Sequence, residues 1–207
     1  EDKMLEFLSK YLYLVLIIIA FFMMLYFLGG EDIIFFRKKK YNYDIKGEEK
    51  LIKALNRFAK IRSFTVWGKT TIAYGEKEYT FDGILLCYFG TIAFSVDGHG
   101  GEIYGSDGEE KWTQIFEEKK SKIQNPVSAM NGAERLFREI YRTEKAKFGQ
   151  IETMVVYTND YCSVAVPKSL PVCHVRDLVK KLESKKYLAD NGADIDAMKA
   201  AIEKYSK

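Results

Sequence analysis

The sequence predicts an α/β domain built around a central sheet, preceded by one transmembrane helix. Residues 11–28 form an uncharged apolar run that contains no proline or glycine. The chain after residue 46 alternates between stretches with the 3.6-residue period of helices and stretches with the two-residue period of strands. The 207 residues therefore suffice for one membrane segment of about 20 residues and one domain of ordinary size.

The apolar run reads YLYLVLIIIAFFMMLYFL, and it would present apolar side chains on every side of a helix. At about 1.5 Å per residue it spans most of a hydrocarbon layer of about 30 Å. A cleaved signal peptide is the alternative, but its apolar part is about 7–15 residues long and ends in a small-x-small site. This segment has no such site. We therefore expect a short N-terminal segment at 1–10 and an uncleaved anchor at 11–30.

Basic residues indicate the direction of this anchor. The N-terminal side has Lys3 and Lys10, whereas the C-terminal side has Arg37, Lys38, Lys39 and Lys40. Because positive residues stay inside, we expect a single-pass protein of the cell membrane with its N-terminus outside and its C-terminal domain cytoplasmic. The basic linker at 31–46 could also contact anionic lipid, although a stop-transfer flank explains it more simply.

The first half of the soluble part predicts one helix followed by a β-meander. A helix begins at Gly47, with Leu51, Ile52, Leu55 and Phe58 on one face and with Glu48 and Glu49 in its first turn. Strands are predicted at 63–74, 79–88 and 91–96, and a short strand or bend at 102–105. The DGHGG stretch at 97–101 cannot be regular strand, and a charged stretch surrounds Trp112.

The second half predicts mainly helices. A helix at 127–145 follows Asn125–Pro126, and the almost wholly apolar stretch 151–157 predicts a buried strand with which 163–166 could pair. Helices follow at 175–188 and at 195–205, the last with Asp194 as its N-cap. We therefore expect one domain at 47–190 and a C-terminal helix at 191–207.

The net charge argues against a nucleic-acid-binding protein, and the cysteines argue against a disulfide framework and a zinc site. The net charge is only +3, whereas a dedicated nucleic-acid binder usually has a clear basic excess. Three cysteines, Cys87, Cys162 and Cys173, do not suggest a disulfide framework, and reduced cysteines suit a cytosolic domain. Cys162, Cys173, His174 and His99 could in principle bind zinc, but no CxxC or HxxxH spacing supports such a site.

Four stretches in order resemble the NERD (nuclease-related) domain, a branch of the PD-(D/E)xK fold. They are KGEEKLIKAL (46–55), YTFDGILL (79–86), GTIAFSVDGHGGEIYG (90–105) and QNPVSAMNGAERL (124–136). Trp112 also stands where that family often has a tryptophan. The resemblance extends from about Lys46 to Leu182, and it implies a restriction-endonuclease-like central mixed sheet flanked by helices.

The resemblance also implies which positions would perform chemistry. Phosphodiester cleavage needs a divalent cation held by carboxylates, and a nearby lysine offsets the charge of the transition state. The family's first-helix Glu and strand Asp are present as Glu49 and Asp82. The Glu and Lys of its Glu-x-Lys pattern correspond to Ser95 and Asp97, and its helix Gln corresponds to Ala129. An acidic Asp97 in place of a lysine would repel the reacting phosphate.

We therefore expect a catalytically inactive nuclease relative that serves as a protein-interaction module at the membrane and needs no cofactor. Two alternatives remain. One is a DNA-binding protein without cleavage, against which the near-neutral charge counts mildly. The other is a Mg²⁺-dependent nuclease with a rearranged site, in which Asp82, Asp97 and Glu49 hold the metal and Lys69 or Lys111 supplies the cation.

Overall fold

The computed structural model describes residues 11–21, 23 and 40–207. The chain divides into two compact units, with the boundary between Lys40 and Tyr41. In the first unit, residues 11–21 are helical (α1), and their side chains are exposed. No helix among the described residues is long and apolar enough to cross a membrane. The rest of the predicted anchor, the N-terminal segment at 1–10 and the basic residues Arg37, Lys38 and Lys39 lie outside the described residues.

The second unit is a mixed α/β domain. Its strands in chain order are β1 (Thr65–Trp67), β2 (Thr70–Tyr74), β3 (Lys77–Phe81), β4 (Gly83–Cys87), β5 (Gly90–Asp97), β6 (Gly101–Tyr104), β7 (Lys111–Phe116), β8 (Lys119–Gln124), β9 (Gln150–Tyr157), β10 (Cys162–Ala165) and β11 (Val172–His174). Its helices are α2 (Gly47–Ala59), α3 (Ala133–Thr143), α4 (Val175–Leu182), α5 (Lys185–Leu188) and α6 (Ile195–Glu203). The predicted mixed α/β class is confirmed.

A five-stranded mixed sheet with the order β1-β4-β5-β9-β11 forms the centre of the domain. Strand β5 pairs antiparallel with β4 and parallel with β9, so it lies in the middle of the sheet. A four-stranded sheet has the order β10-β6-β7-β8, and β2 and β3 form a separate hairpin. The expectation that 163–166 pairs with 151–157 is wrong, because β10 pairs with β6 and the short strand β11 pairs with β9.

Helices cover both faces of the central sheet. Leu51, Leu55 and Phe58 of α2 belong to a buried cluster that also contains residues of α4, and α3 and α6 contribute to the cluster on the other face. Full burial of one such leucine or phenylalanine stabilises the fold by about 1.5–3 kcal/mol. Gly83 of β4 lets α2 lie close, since a Cβ there would stand 3.1 Å from Leu51.

Two predicted helices are interrupted in the structure. In the stretch predicted as one helix at 127–145, a 3₁₀ turn at Ser128–Met130 precedes α3. Gly132, with a φ of 89°, separates the two, because a residue in the left-handed region cannot continue a helix. The stretch 175–188 divides into α4 and α5. The last helix, by contrast, begins at its predicted cap, since Asp194 accepts a hydrogen bond of 2.9 Å from Ala197 N–H.

Candidate functional site

Asp82 lies where the long strand predicted at 79–88 breaks into β3 and β4. Its N–H donates to Phe94 O at 2.9 Å, and its Oδ2 accepts a hydrogen bond of 2.7 Å from Val96 N–H. These bonds fix the carboxylate against strand β5. Burial raises the pKa of Asp82 above its usual range, the Val96 N–H lowers it, and the nearby Glu48 raises it further.

Lys69 joins Asp82 to the first turn of helix α2. Its Nζ lies 2.5 Å from Glu48 Oε1 and 3.8 Å from Asp82 Oδ1. The hydrogen bond and charge of Glu48, followed by the charge of Asp82, raise the pKa of Lys69. The cluster therefore consists of two carboxylates with one ammonium group between them.

The cluster opens into a depression of about 610 Å³. Glu49 also lines this depression, but it is exposed and forms no ion pair within the described part of the chain. Glu48, which we did not select from the sequence, makes the contact with Lys69 instead. Its spacing from Leu51 and Leu55 places it on the buried face of α2, and that spacing could have identified it.

Ser95 and Asp97 lie two residues apart on β5, so their side chains emerge on the same face of the strand. Ser95 is half-buried, whereas Asp97 is only 6% exposed. Asp97 Oδ1 accepts a hydrogen bond from His99 N–H at 2.8 Å and interacts with His99 Nδ1 at 2.7 Å. The Asp97 carboxylate is therefore engaged by the loop that follows its own strand.

Asp97 also affects the buried Tyr157, which pairs with it in register on β9. Burial, and then the charge of Asp97, raise the pKa of Tyr157 well above its usual range. The Tyr157 hydroxyl has no hydrogen-bond partner among the described residues. The Asp97 carboxylate therefore lies in a largely enclosed environment.

Residues 41–44, here called the docked segment, lie along the 98–100 loop beside Asp97. Asp44 N–H donates to Gly98 O at 2.7 Å, and Gly100 N–H donates to Asn42 O at 2.8 Å. The Tyr43 ring packs edge-on against His99, with 5.1 Å between the ring centroids. Burial, followed by the charges of Asp97 and Asp82, raises the pKa of Tyr43.

Two buried amides hold the docked segment in place. Asn159 Nδ2 donates to Tyr41 O at 2.8 Å, and Gln114 Nε2 donates to Asn42 Oδ1 at 2.7 Å. Each of these amide residues is about 3% exposed. Buried amides of this kind are costly unless they are hydrogen-bonded, so the docked segment belongs to the folded domain.

The remaining predicted residues lie apart from the cluster. Ala129 is exposed in the 3₁₀ turn that precedes α3. Lys111 begins β7 in the four-stranded sheet, and within the described residues it has no ion pair. Lys40 is exposed. Of the two lysines considered as substitutes for the missing cation, only Lys69 contacts Asp82.

The described residues do not form a magnesium site as they stand. No group of three His, Cys, Asp or Glu residues among them could hold a metal ion, so Glu49, Asp82 and Asp97 do not converge. Mg²⁺ requires near-octahedral oxygen ligands. The Lys69 ammonium already lies between Glu48 and Asp82, and Asp82 Oδ2 is bonded to Val96 N–H. A magnesium ion does not fit this arrangement while Lys69 keeps its position.

Cys162, Cys173 and His174 line one depression of about 350 Å³, but their chemistry does not suit zinc. His174 Nε2 is 2.8 Å from Asn159 O, and its Nδ1 accepts from Arg176 N–H. Burial raises the pKa of Cys162 to about 12 and that of Cys173 to about 11. Protonated thiols and a histidine with both nitrogens engaged are poor metal ligands.

Comparison with known proteins gives one match. The family model of the nuclease-related domain, NERD, matches residues 44–158, which is just over half of the 207 residues. This range includes Glu48, Lys69, Asp82, Ser95 and Asp97. No curated protein and no solved structure matches the chain.

Proposed function

Because the chain belongs to the nuclease-related domain (NERD) family, we propose that it is a nuclease relative that no longer cleaves and that works as a membrane-anchored interaction module. The observation that carries this proposal is the environment of Asp97. Its carboxylate stands where the family's catalytic lysine is expected, and it is almost fully buried and bonded to His99.

Electrostatics explain why this position would abolish cleavage. A lysine beside the scissile phosphate stabilises the charge that develops in the transition state, whereas a carboxylate destabilises it. Each 1.4 kcal/mol of lost stabilisation costs about a factor of ten in rate. Ser95 stands where the family's glutamate is expected, so a metal-binding carboxylate is also missing from the same strand. The expected loss is therefore several orders of magnitude.

Membrane anchoring is supported by the apolar run at 11–28 and by the exposure of its described part. From Tyr11 to Ile19 the large apolar side chains of α1 are 46–69% exposed. Hydrocarbon is the environment that such a surface prefers. With Arg37, Lys38, Lys39 and Lys40 after the run, the positive-inside rule favours a cytoplasmic domain and an N-terminus outside.

The alternative function is a divalent-metal-dependent nuclease with a rearranged site. One specific observation favours it, because Lys69 approaches Asp82 to 3.8 Å and could replace the missing lysine. This alternative requires Lys69 to leave Glu48 so that the two carboxylates can accept a metal. The family's metal would supply Lewis-acid activation of water and phosphate if it were bound.

A cleavage assay separates the two functions. The full chain is incubated with supercoiled plasmid and with linear DNA in the presence of Mg²⁺, alongside Asp82→Ala and the exposed control Asp107→Ala. We expect no turnover by any of the three proteins. Mg²⁺-dependent cleavage that Asp82→Ala abolishes and Asp107→Ala preserves would overturn the proposal and establish the rearranged nuclease.

A further inference from the structure

Strand β9 has a strand partner along its full length on one side only. Strand β5 pairs with it from Gln150 to Tyr157, whereas β11 pairs with it only from Val155 onward. The first half of β9 therefore has an open edge on the β11 side, within the part of the chain that the structure describes. Unpaired strand edges are templates for pairing with another chain.

The directions of the β9 hydrogen bonds show which backbone groups face this open edge. Gln150 N–H donates to Phe89 O on the β5 side, whereas Val155 N–H donates to Pro171 O on the opposite side. Backbone groups alternate along a strand, so those of Thr153 point the same way as those of Val155. The N–H and C=O groups of Thr153 therefore face the open edge.

Two adjoining depressions provide space along this edge. One, of about 850 Å³, lies between Thr153 and helix α3. The other, of about 500 Å³, is lined by both Glu152 and Thr153. Consecutive strand residues point to opposite faces of a sheet, so the second depression passes around the edge from one face to the other. Together they form what we call the β9 trough.

The rim of the β9 trough is positively charged. Arg135, Arg138 and Arg142 follow one another at the spacing of a single helix face and line the larger depression, and Lys168 lines the smaller. Among the described residues none of these four cations has an ion-pair partner.

Two of the carboxylates in the trough are already neutralised. Glu139 pairs with Lys77 at 2.9 Å, and Glu152 pairs with Lys186 at 2.6 Å. Arginines without partners beside a concave surface are typical of binding sites for carboxylates or phosphates. The net positive charge of the trough therefore favours an anionic ligand.

We propose that the β9 trough binds an extended acidic segment of a partner protein, which adds as a strand beside the first half of β9. The inference rests on the proposed function as an interaction module and names the surface and the partner chemistry. Backbone hydrogen bonds to Thr153 supply the strand pairing, and carboxylates of the segment pair with Arg135, Arg138 and Arg142. The open stretch comprises the five residues 150–154 and is about 13 Å long from its first to its last Cα. The rise between the first and last of these arginines is of similar size, about 10 Å.

A peptide fits these features better than a nucleic acid does. The open edge offers backbone groups for a ladder of N–H···O=C bonds, and a phosphodiester backbone has no N–H donors to complete such a ladder.

The test measures binding of the full chain, kept in a non-ionic detergent, to fluorescein-labelled peptides by anisotropy. The probe is a peptide of alternating Glu and Val. Its first control has the same sequence with N-methyl groups on alternate backbone nitrogens, which keeps the charge but removes the strand donors. A Lys–Val peptide and a single-stranded DNA oligonucleotide of matched charge complete the set.

We expect the Glu–Val peptide to bind, and N-methylation to weaken it at least about tenfold. Arg138→Glu should also weaken binding at least about tenfold, whereas the matched charge reversal Arg57→Glu on the exposed face of α2 should leave it within about twofold. Near-native circular dichroism of both variants shows that they are folded.

Three results would overturn this inference. The first is no saturable binding of the Glu–Val peptide, and the second is equal binding of the N-methylated peptide. The third is that Arg138→Glu weakens binding of the oligonucleotide but not of the peptide. The first excludes the site, the second reduces it to charge attraction, and the third identifies a nucleic-acid surface. DNA cleavage by the chain would overturn the proposed function without affecting the peptide result, so the two failures can be distinguished.

Discussion

Lys69 Nζ lies 2.5 Å from Glu48 Oε1, so an ion pair connects the turn between β1 and β2 to the first turn of helix α2. The two residues are 21 positions apart in the chain. This contact holds the ammonium group within 3.8 Å of Asp82. A side chain of the protein therefore provides the positive charge beside that carboxylate.

Lys69→Met should raise the pKa of Asp82 further. Burial already raises that pKa, and the Lys69 charge is one of the contributions that lower it. Carbon-13 NMR titration of the Asp82 carboxyl measures the change. Lys53→Met is the control, because Lys53 lines the same depression without an ion pair among the described residues. An Asp82 pKa that is the same in both variants would contradict the geometry of the cluster.

Asp82→Asn and Asp44→Asn should change stability in opposite directions at neutral pH. The raised pKa of Asp82 means that its ionisation costs folding free energy as the pH rises through its unfolded and folded pKa values. Asn can still accept the Val96 hydrogen bond, so Asp82→Asn should stabilise the fold at pH 7 and lose this advantage in acid.

Asp44→Asn should destabilise the fold at pH 7, because the pKa of Asp44 is lowered and not raised. Burial alone would raise its pKa, but the hydrogen bonds from Lys50 and from the Lys46 N–H hold the pKa below its usual range. Its stabilising contribution is present above the unfolded pKa and is lost as the pH falls through the folded pKa. Urea unfolding from pH 3 to 7 compares both variants with the parent, and shifts of the same sign at pH 7 would refute the assignment.

Gly98→Ala should release the docked segment. A Cβ at Gly98 would stand 2.6 Å from Asp44 O, a backbone atom that cannot move without shifting the segment. We expect a loss of about 1–3 kcal/mol in unfolding free energy and faster hydrogen exchange at the Asp44 amide, which donates to Gly98 O. Gly68→Ala is the matched control, since a Cβ there meets nothing within 4 Å. Equal effects of the two substitutions would argue against docking.

Ser95→Glu should raise the affinity of the chain for a divalent metal ion. Ser95 follows Phe94, which pairs with Gly83 and accepts the Asp82 N–H, so a glutamate at position 95 would add a carboxylate near Asp82. We expect Mn²⁺ to bind at least about tenfold more tightly, as one added hard ligand is worth about 1.4 kcal/mol or more. Electron paramagnetic resonance of free Mn²⁺ measures this, with the exposed Ser163→Glu as control. No gain over that control would show that Ser95 does not face the cluster.

The start of α2 is predicted at Gly47, as observed, because its apolar residues repeat at the period of a helix. Strand β9 is predicted within one residue of its observed bounds because the stretch 151–157 is almost wholly apolar. The hairpin of β7 and β8 is not predicted. Trp112, Gln114 and Ile123 are its buried residues, and the rest of both strands is partly or fully exposed and, apart from Ile115 and Phe116, polar. Its turn uses Glu117 and Glu118 at φ values of 46° and 65°, without the glycine or asparagine that normally signals such a turn.

The site could be predicted only in part for a similar reason. Asp82 could be selected because the stretch YTFDGILL (79–86) resembles the family's strand with a central Asp. The choice between Glu48 and Glu49 depends on the phase of one helix, since adjacent residues differ by about 100° around the axis. The contact between Lys69 and Glu48 depends on where the turn after β1 meets α2, and no local pattern in the sequence encodes that meeting.

The docked segment determines how the domain would respond to mechanical tension. A pull applied through Lys40 reaches the domain at the Tyr41 carbonyl, which is held by Asn159, and then at Asn42, which is held by Gln114. These bonds would break in succession, as in peeling, and at lower force than the shearing of β5 from β9. Tension on the N-terminal chain would thus uncover the 98–100 loop while the core of the domain stays folded.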